Sequence, residues 1–153
     1  MKKMNKKGFT LIELLAIIVI LAIIAVITVP IILNIIDEAR KGAEKNSVIG
    51  YGKAVELAYT QYQYEKSMGT ADADNTHLDD DLNSPDDGKV ISISIDDTAK
   101  FLVVDFDGDK VVCTPSVTDK NTISSGKVSL KGCSVNGSTT KYNYGEGKAT
   151  PAS

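Results

Sequence analysis

A nearly continuous apolar segment at residues 14–33 constrains the fold of this chain more than any other feature of its sequence. The segment has the length, about 20 residues, that an α-helix needs to cross the hydrocarbon core of a bilayer. Its Ile, Val, Leu and Ala side chains would cover every face of that helix, which disfavours the amphipathic helix of a soluble core. We therefore predict that the segment resides in membrane lipid as a single-pass span.

Charged residues on the two sides of the segment indicate its orientation. Four lysines precede it, and Arg40 and Lys41 follow it together with two acidic residues. Because basic residues accumulate on the cytoplasmic side of a span, this distribution predicts a cytoplasmic N-terminus and an extracytoplasmic C-terminal domain. A secretory signal peptide explains the segment less well, since the apolar stretch is too long and no small-residue cleavage site follows it.

Glu13 lies at the start of the apolar segment, where a plain signal anchor gives no reason for a carboxylate. Such a group costs about 2.5–3.5 kcal/mol at the bilayer centre and less near the interface, so it needs a partner. A break of the peptide bond after Gly8 would create a positive α-amino group on Phe9, about one helical turn from Glu13. The amine of a neighbouring copy could serve equally well, and that pairing would fix the axial register of the two copies.

The segment KKGFTLIEL at residues 6–14 resembles the type III signal of type IV prepilins and pseudopilins. In that family a membrane aspartyl peptidase cuts after the glycine of a short basic leader and methylates the new N-terminal amine, usually on a phenylalanine. The resemblance implies that Gly8 is the cleavage-site residue, that Phe9 becomes the methylated terminus, and that Glu13 is the assembly carboxylate. Pro30 stands where such pilins commonly have a helix-kinking proline.

The same resemblance implies a structural subunit and not an enzyme. Its expected partners are further copies of itself or other pilin subunits, a prepilin peptidase, an inner-membrane platform protein and a cytoplasmic assembly ATPase. The filament could be a type IV pilus, a type II secretion pseudopilus or a competence pseudopilus, and the sequence does not separate these roles. The alternative is a signal-anchored extracytoplasmic binding module that is not polymerised, which predicts no cleavage and tolerance of Glu13→Ala.

The order of the predicted elements indicates an α+β fold, in which a long N-terminal helix packs on a small antiparallel sheet. Small residues recur every three or four positions from Ala39 to Ala58 and predict the packing face of a stem helix, with Glu44 and Glu56 on the opposite face. Tyr51, Tyr59 and Tyr62 are expected to pack between helix and sheet. We divide the chain into a basic leader (1–8), a membrane or filament-core helix (9–36), a stem helix (37–66), a polar connecting loop (67–88), a β head (89–145) and a flexible tail (146–153).

Four strands are predicted in the head, at residues 90–95, 101–106, 110–114 and 127–131. The dipeptide Asp107-Gly108 between the second and third strands is a strong hairpin signal. If the head lies outside the cytoplasm, Cys113 and Cys133 are expected to form one disulfide, whereas a reducing compartment would leave two free thiols. The family resemblance favours the bond, which would contribute roughly 3 kcal/mol to stability.

Composition argues against several other functions. The formal net charge is −3, and loss of the four leader lysines would make it −7, which suits nucleic-acid binding poorly, so no direct nucleic-acid partner is expected. No cofactor or metal is predicted. Asp105, Asp107 and Asp109 suggest calcium, but Lys110 and Ser116 occupy the positions where an EF-hand loop needs Gly and Glu. A solvated turn explains the aspartates better, although some pseudopilins that the chain resembles do bind calcium in their heads.

Overall fold

The computed structural model describes residues 8–69, 89–95, 98–116 and 118–152. The predicted basic leader lies outside these ranges except for Gly8, and so does most of the predicted connecting loop. The chain divides into two compact units, Met1–Lys41 and Gly42–Ser153. Helix α1 (Leu11–Met68) continues from the first unit into the second, where it is followed by a β-sheet. The predicted α+β fold with a long N-terminal helix is confirmed.

Both ends of α1 have recognisable boundary signals, a cap at the start and a glycine at the end. Thr10 precedes the first helical residue and caps it, as described below. At the other end Gly69 has a φ of +68° and donates its N–H to the carbonyl of Lys66 at 3.4 Å. A left-handed glycine immediately after the last turn is a common helix terminator, because glycine has no Cβ to oppose that conformation.

Within the residues that the structure describes, seven strands form one mixed sheet. They are β1 (Val90–Ile95), β2 (Thr98–Val103), β3 (Val111–Cys113), β4 (Thr122–Ser124), β5 (Lys127–Val135), β6 (Tyr142–Gly145) and β7 (Lys148–Pro151). The strand order is β2-β1-β4-β5-β6-β7, and β3 pairs with β5 outside that order. The β1–β4 pair is parallel and the other pairs are antiparallel, so the prediction of a wholly antiparallel sheet is wrong at this pair. A parallel pair needs a long crossover, which the chain supplies through β2 and β3.

Asp107-Gly108 does not form the predicted hairpin. Strand β2 pairs with β1 and strand β3 pairs with β5, so the two strands that flank this dipeptide are not partners. The ring of Phe106 packs against both Gly108 and Gly50 of the helix, and it meets the ring of Tyr51 edge-on at 5.6 Å. Packing of the partly buried Phe106 side chain against the helix therefore directs this loop away from β2.

Two tight turns elsewhere in the chain do connect antiparallel neighbours of the sheet. Ser125-Gly126 joins β4 to β5 and Glu146-Gly147 joins β6 to β7, and all four residues have φ between +51° and +76°. Two successive positive φ angles are typical of the type I′ turn, whose twist matches that of an antiparallel hairpin. Strand β7 lies in the segment predicted to be a flexible tail, so that prediction is wrong over these residues.

The core of the second unit lies between the helix and the inner face of the sheet. The buried residues of α1 are Glu44, Val48, Tyr51, Gly52, Val55 and Ala58. The predicted burial of Tyr51 is confirmed, whereas the small-residue face shares only Ala58 with this set. The helix turns its larger apolar side chains to the sheet because these remove more apolar surface from water. Glu44, predicted on the opposite face, is 6% exposed.

Candidate processing and assembly site

The predicted cleavage position lies just before the start of α1. Gly8, Phe9 and Thr10 precede the helix, and Phe9 is 80% exposed. The N–H and the hydroxyl of Thr10 both donate to Oε2 of Glu13, at 2.9 and 2.7 Å, and the N–H of Glu13 donates to Oγ1 of Thr10 at 3.4 Å. This reciprocal arrangement is a capping box. It places Glu13 in the first helical turn, where the helix dipole favours a carboxylate.

The helix surface that follows Glu13 is apolar and exposed on all sides. Every large hydrophobic side chain from Phe9 to Ile36 exposes between 45% (Ile17) and 83% (Leu11) of its surface. Soluble monomers rarely expose so large an apolar surface. Within the described chain, α1 is long and apolar enough by length and composition to cross a membrane, with a mean hydropathy of 3.3 over 18 residues. The segment fits a membrane-anchored chain.

Pro30 lies inside α1 and leaves one gap in its hydrogen-bond ladder. Proline has no N–H, so the carbonyl of Val26 lacks its usual helical donor. Close by, the hydroxyl of Thr28 donates to the carbonyl of Ile24 at 2.7 Å. The helix nevertheless continues to Met68. A bend at Pro30 stays a prediction.

Two tyrosines of β6 join the helix to the sheet through carboxylates. The hydroxyl of Tyr142 donates to Oε2 of Glu44 at 3.0 Å, and the hydroxyl of Tyr144 donates to Oε1 of Glu56 at 2.8 Å. Burial and the adjacent Glu56 carboxylate raise the pKa of Tyr144 to about 12, which keeps its hydroxyl protonated as a donor. The Tyr144 ring lies directly over Gly52, whose missing side chain makes room for it.

Asp109 links three parts of the second unit. Its Oδ2 accepts the hydroxyl of Ser47 on the helix at 2.7 Å, and its Oδ1 accepts the side-chain amide of Asn136 at 3.2 Å. These two hydrogen bonds lower the pKa of Asp109 below its usual value. In the part of the chain that the structure describes, no group of three or more His, Cys, Asp or Glu side chains is arranged to hold a metal. Asp109 acts here as an acceptor for protein donors.

Cys113 and Cys133 form a disulfide between β3 and β5, as predicted. The two residues are direct partners in the antiparallel register, and both are buried in the core. Next to Cys133, Gly132 has a φ of +62°, and a Cβ there would come within 2.5 Å of the Thr114 carbonyl oxygen. The disulfide therefore joins β3 to β5 where the sheet is tightly packed.

Residues 3–29 match the family model of the prokaryotic N-terminal methylation motif. The chain thus carries the signal of type IV prepilins, and the resemblance stated from its sequence is confirmed. This signal implies processing by a prepilin peptidase and assembly with other pilin subunits, and it points to a structural subunit. No curated protein and no solved structure matches the chain significantly.

Sequence reasoning missed three of these features. The capping box has a visible signal, Thr-x-x-Glu directly before an apolar run. No local sequence pattern predicts the burial of Glu44 or the hydrogen bonds from tyrosine hydroxyls to the helix carboxylates. Both depend on which strand crosses the helix at each point. Asp109 was singled out as a candidate calcium ligand, whereas its contacts are with Ser47 and Asn136.

Proposed function

We propose that this chain is a structural subunit of a type IV filament, either a pilus or a secretion or competence pseudopilus. It is inserted in the cell membrane with its N-terminus in the cytoplasm and its head outside. A prepilin peptidase cuts after Gly8 and methylates Phe9. An assembly ATPase, acting through a membrane platform protein, then moves the subunit into the filament. The observation that carries this proposal is the match of residues 3–29 to the N-terminal methylation motif.

The geometry around Glu13 supports an electrostatic docking step. Both hydrogen bonds from Thr10 go to Oε2, and Oε1 accepts none from any residue in the described ranges. In the uncleaved chain the capping box therefore partly satisfies the carboxylate. After cleavage, Oε1 is available to the ammonium group of Phe9 on a neighbouring copy, and the apolar surroundings of the filament core would strengthen that attraction.

The exposed apolar helix supports polymerisation by the same route. Lipid covers its surface before assembly. Inside a filament, the helices of neighbouring copies would cover it instead. Extraction of a subunit from lipid into such a bundle keeps the apolar surface away from water throughout, so no step exposes the segment to solvent.

Replacement of Glu13 by Gln, with Glu38→Gln as the matched control on the same helix, tests this proposal. Both variants and the wild-type chain are expressed with a prepilin peptidase and the assembly machinery, and N-terminal mass and sedimentable polymer are measured. We expect all three chains to be cleaved after Gly8 and only Glu13→Gln to lose polymer. Normal polymer from Glu13→Gln would refute the docking step. An uncleaved wild-type chain would favour the membrane-anchored binding module.

A further inference from the structure

The charges of the second unit are strongly segregated. The seven strands contain Lys100, Lys127, Lys131 and Lys148 but no Asp or Glu, although the chain has 20 acidic residues. Within the described ranges, the acidic residues lie instead on α1 and in the connections between elements. An acidic chain thus has a sheet whose only ionised side chains are cationic.

Three of these lysines share the outer face of the sheet. The register aligns Thr122, Ser129, Gly145 and Lys148 in one row across β4, β5, β6 and β7. Their neighbours Ile123, Val128, Leu130 and Tyr144 are buried and Ala149 is partly buried, so this row faces away from the core. Side chains alternate along a strand, which puts Lys127 and Lys131 on the same face as Ser129. We call Lys127, Lys131 and Lys148, with the small side chains between them, the lysine face.

Two lysines of the lysine face have no ion-pair partner in the described ranges. Lys127 contacts Glu146 at 3.3 Å, and both side chains are largely exposed. Lys131 and Lys148 form no ion pair with any residue in the ranges that the structure covers. Small neutral neighbours such as Ser129 and Gly145 leave the surface around these two ammonium groups open to a partner.

The sequence contains one segment with the complementary charge. Residues 70–88 include seven aspartates and no Lys or Arg. These residues lie outside the described ranges. No stretch of this length elsewhere in the chain, outside this region, has so many carboxylates, so it is the best anionic counterpart of the lysine face within the chain.

Charge repulsion between subunits in a polymer favours a contact between these two oppositely charged surfaces. A subunit without its four leader lysines has a formal charge of −7, and packing many such subunits together is opposed by their mutual repulsion. A helical filament is built from heterologous contacts, in which two different surfaces of the subunit meet. A contact that pairs cations with anions between copies offsets part of the repulsion and suppresses wrong registers.

We propose that the lysine face of one copy binds the acidic segment, residues 70–88, of another copy in the filament. The inference rests on the proposed function, since it needs a polymer. It adds a head-to-head contact to the helix contacts of the filament core. The contact is electrostatic and exposed, and salt therefore weakens it.

The test uses Lys131→Glu/Lys148→Glu, with Lys131→Arg/Lys148→Arg as the charge-preserving control. We expect the Glu variant to lower sedimentable polymer about tenfold at low salt, because like charges would then face each other, while the Arg variant assembles normally. Cleavage after Gly8 and the folded signal of the monomer stay unchanged in both. The difference in polymer between the Glu variant and the wild type should also shrink as ionic strength rises, because salt screens the contact that distinguishes them. Unchanged polymer in the Glu variant would overturn the inference and leave the proposed function standing.

A charge swap identifies the occupant. Asp80→Lys/Asp81→Lys in a second chain should restore assembly when mixed with the Lys131→Glu/Lys148→Glu chain, because the reversed charges then attract between copies. Rescue only when all four changes are in one chain would show a contact within the monomer, and absence of any rescue would point to another anionic partner. Either outcome overturns the proposed contact. A wild-type chain that is cleaved but never polymerises would contradict the proposed function itself.

Discussion

Gly52→Ala tests how closely the stem helix and the sheet are packed. A Cβ on Gly52 would lie 2.5 Å from Cε1 and Cζ of Tyr144, far inside van der Waals contact. The ring cannot swing aside easily, since Tyr144 is 1% exposed and its hydroxyl is bonded to Glu56. Gly42→Ala is the matched control, because the same helix has open space around Gly42.

The two substitutions should change stability in opposite directions. Alanine is about 1 kcal/mol better than glycine in a helix, so Gly42→Ala should raise the free energy of unfolding by up to that amount. At Gly52 the same gain is opposed by overpacking, which costs about 1–3 kcal/mol, and by loss of the hydrogen bond to a charged acceptor, which costs about 1.5–3 kcal/mol. We expect a net destabilisation of about 1.5–5 kcal/mol for Gly52→Ala.

Urea titration of the full chain in detergent, followed by near-UV circular dichroism, measures this difference. The signal reports the second unit, because Tyr51, Tyr142 and Tyr144 are almost fully buried there. The midpoint should decrease for Gly52→Ala and should not decrease for Gly42→Ala. A Gly52→Ala midpoint equal to or above that of the wild type would refute the close contact between Tyr144 and the helix.

Three further predictions concern the second unit. The double substitution Cys113→Ser/Cys133→Ser should lower the free energy of unfolding by about 3 kcal/mol, because the bond closes a loop between residues 20 positions apart and so restricts the unfolded chain. An unchanged urea midpoint would contradict this. Because the pKa of Tyr144 is raised from 10.0 to about 12, its contribution to stability should be present below pH 10 and lost as pH rises toward 12; Tyr144→Phe should remove this dependence in alkaline unfolding curves. The pKa of Asp109 is lowered from 3.8, so its contribution should be present above that pH and lost as pH falls through the folded value; an Asp109→Asn chain with the same acid unfolding curve would disprove it.

The parts of the fold that could be predicted from sequence have strong local signals. The apolar segment at 14–33 and the helix that contains it follow from length and composition, and the alternation at 90–95 matches β1. Strand β4 has only three residues and β6 and β7 have four each, which is too short for a periodicity to stand out. The X-Gly pairs at Ser125-Gly126 and Glu146-Gly147 were the available signals for these hairpins.

The functional residues also differ in how well the sequence predicts them. Gly8, Phe9 and Glu13 belong to one short motif, so sequence reasoning could single them out, although their roles stay predictions. Glu44 shows the opposite case. A carboxylate on a helix normally indicates a solvated face, and the hydrogen bond from the Tyr142 hydroxyl, 98 positions further along the chain, helps to compensate for its burial.

The mass of the N-terminal peptide of the chain, recovered from cells that contain a prepilin peptidase, tests the central claim most directly. Our account predicts a peptide that begins at a methylated Phe9, with the four leader lysines removed. The same peptide from cells without the peptidase should retain the leader. A chain that keeps its leader in both backgrounds would contradict the account, because the amine proposed to meet Glu13 would then never exist.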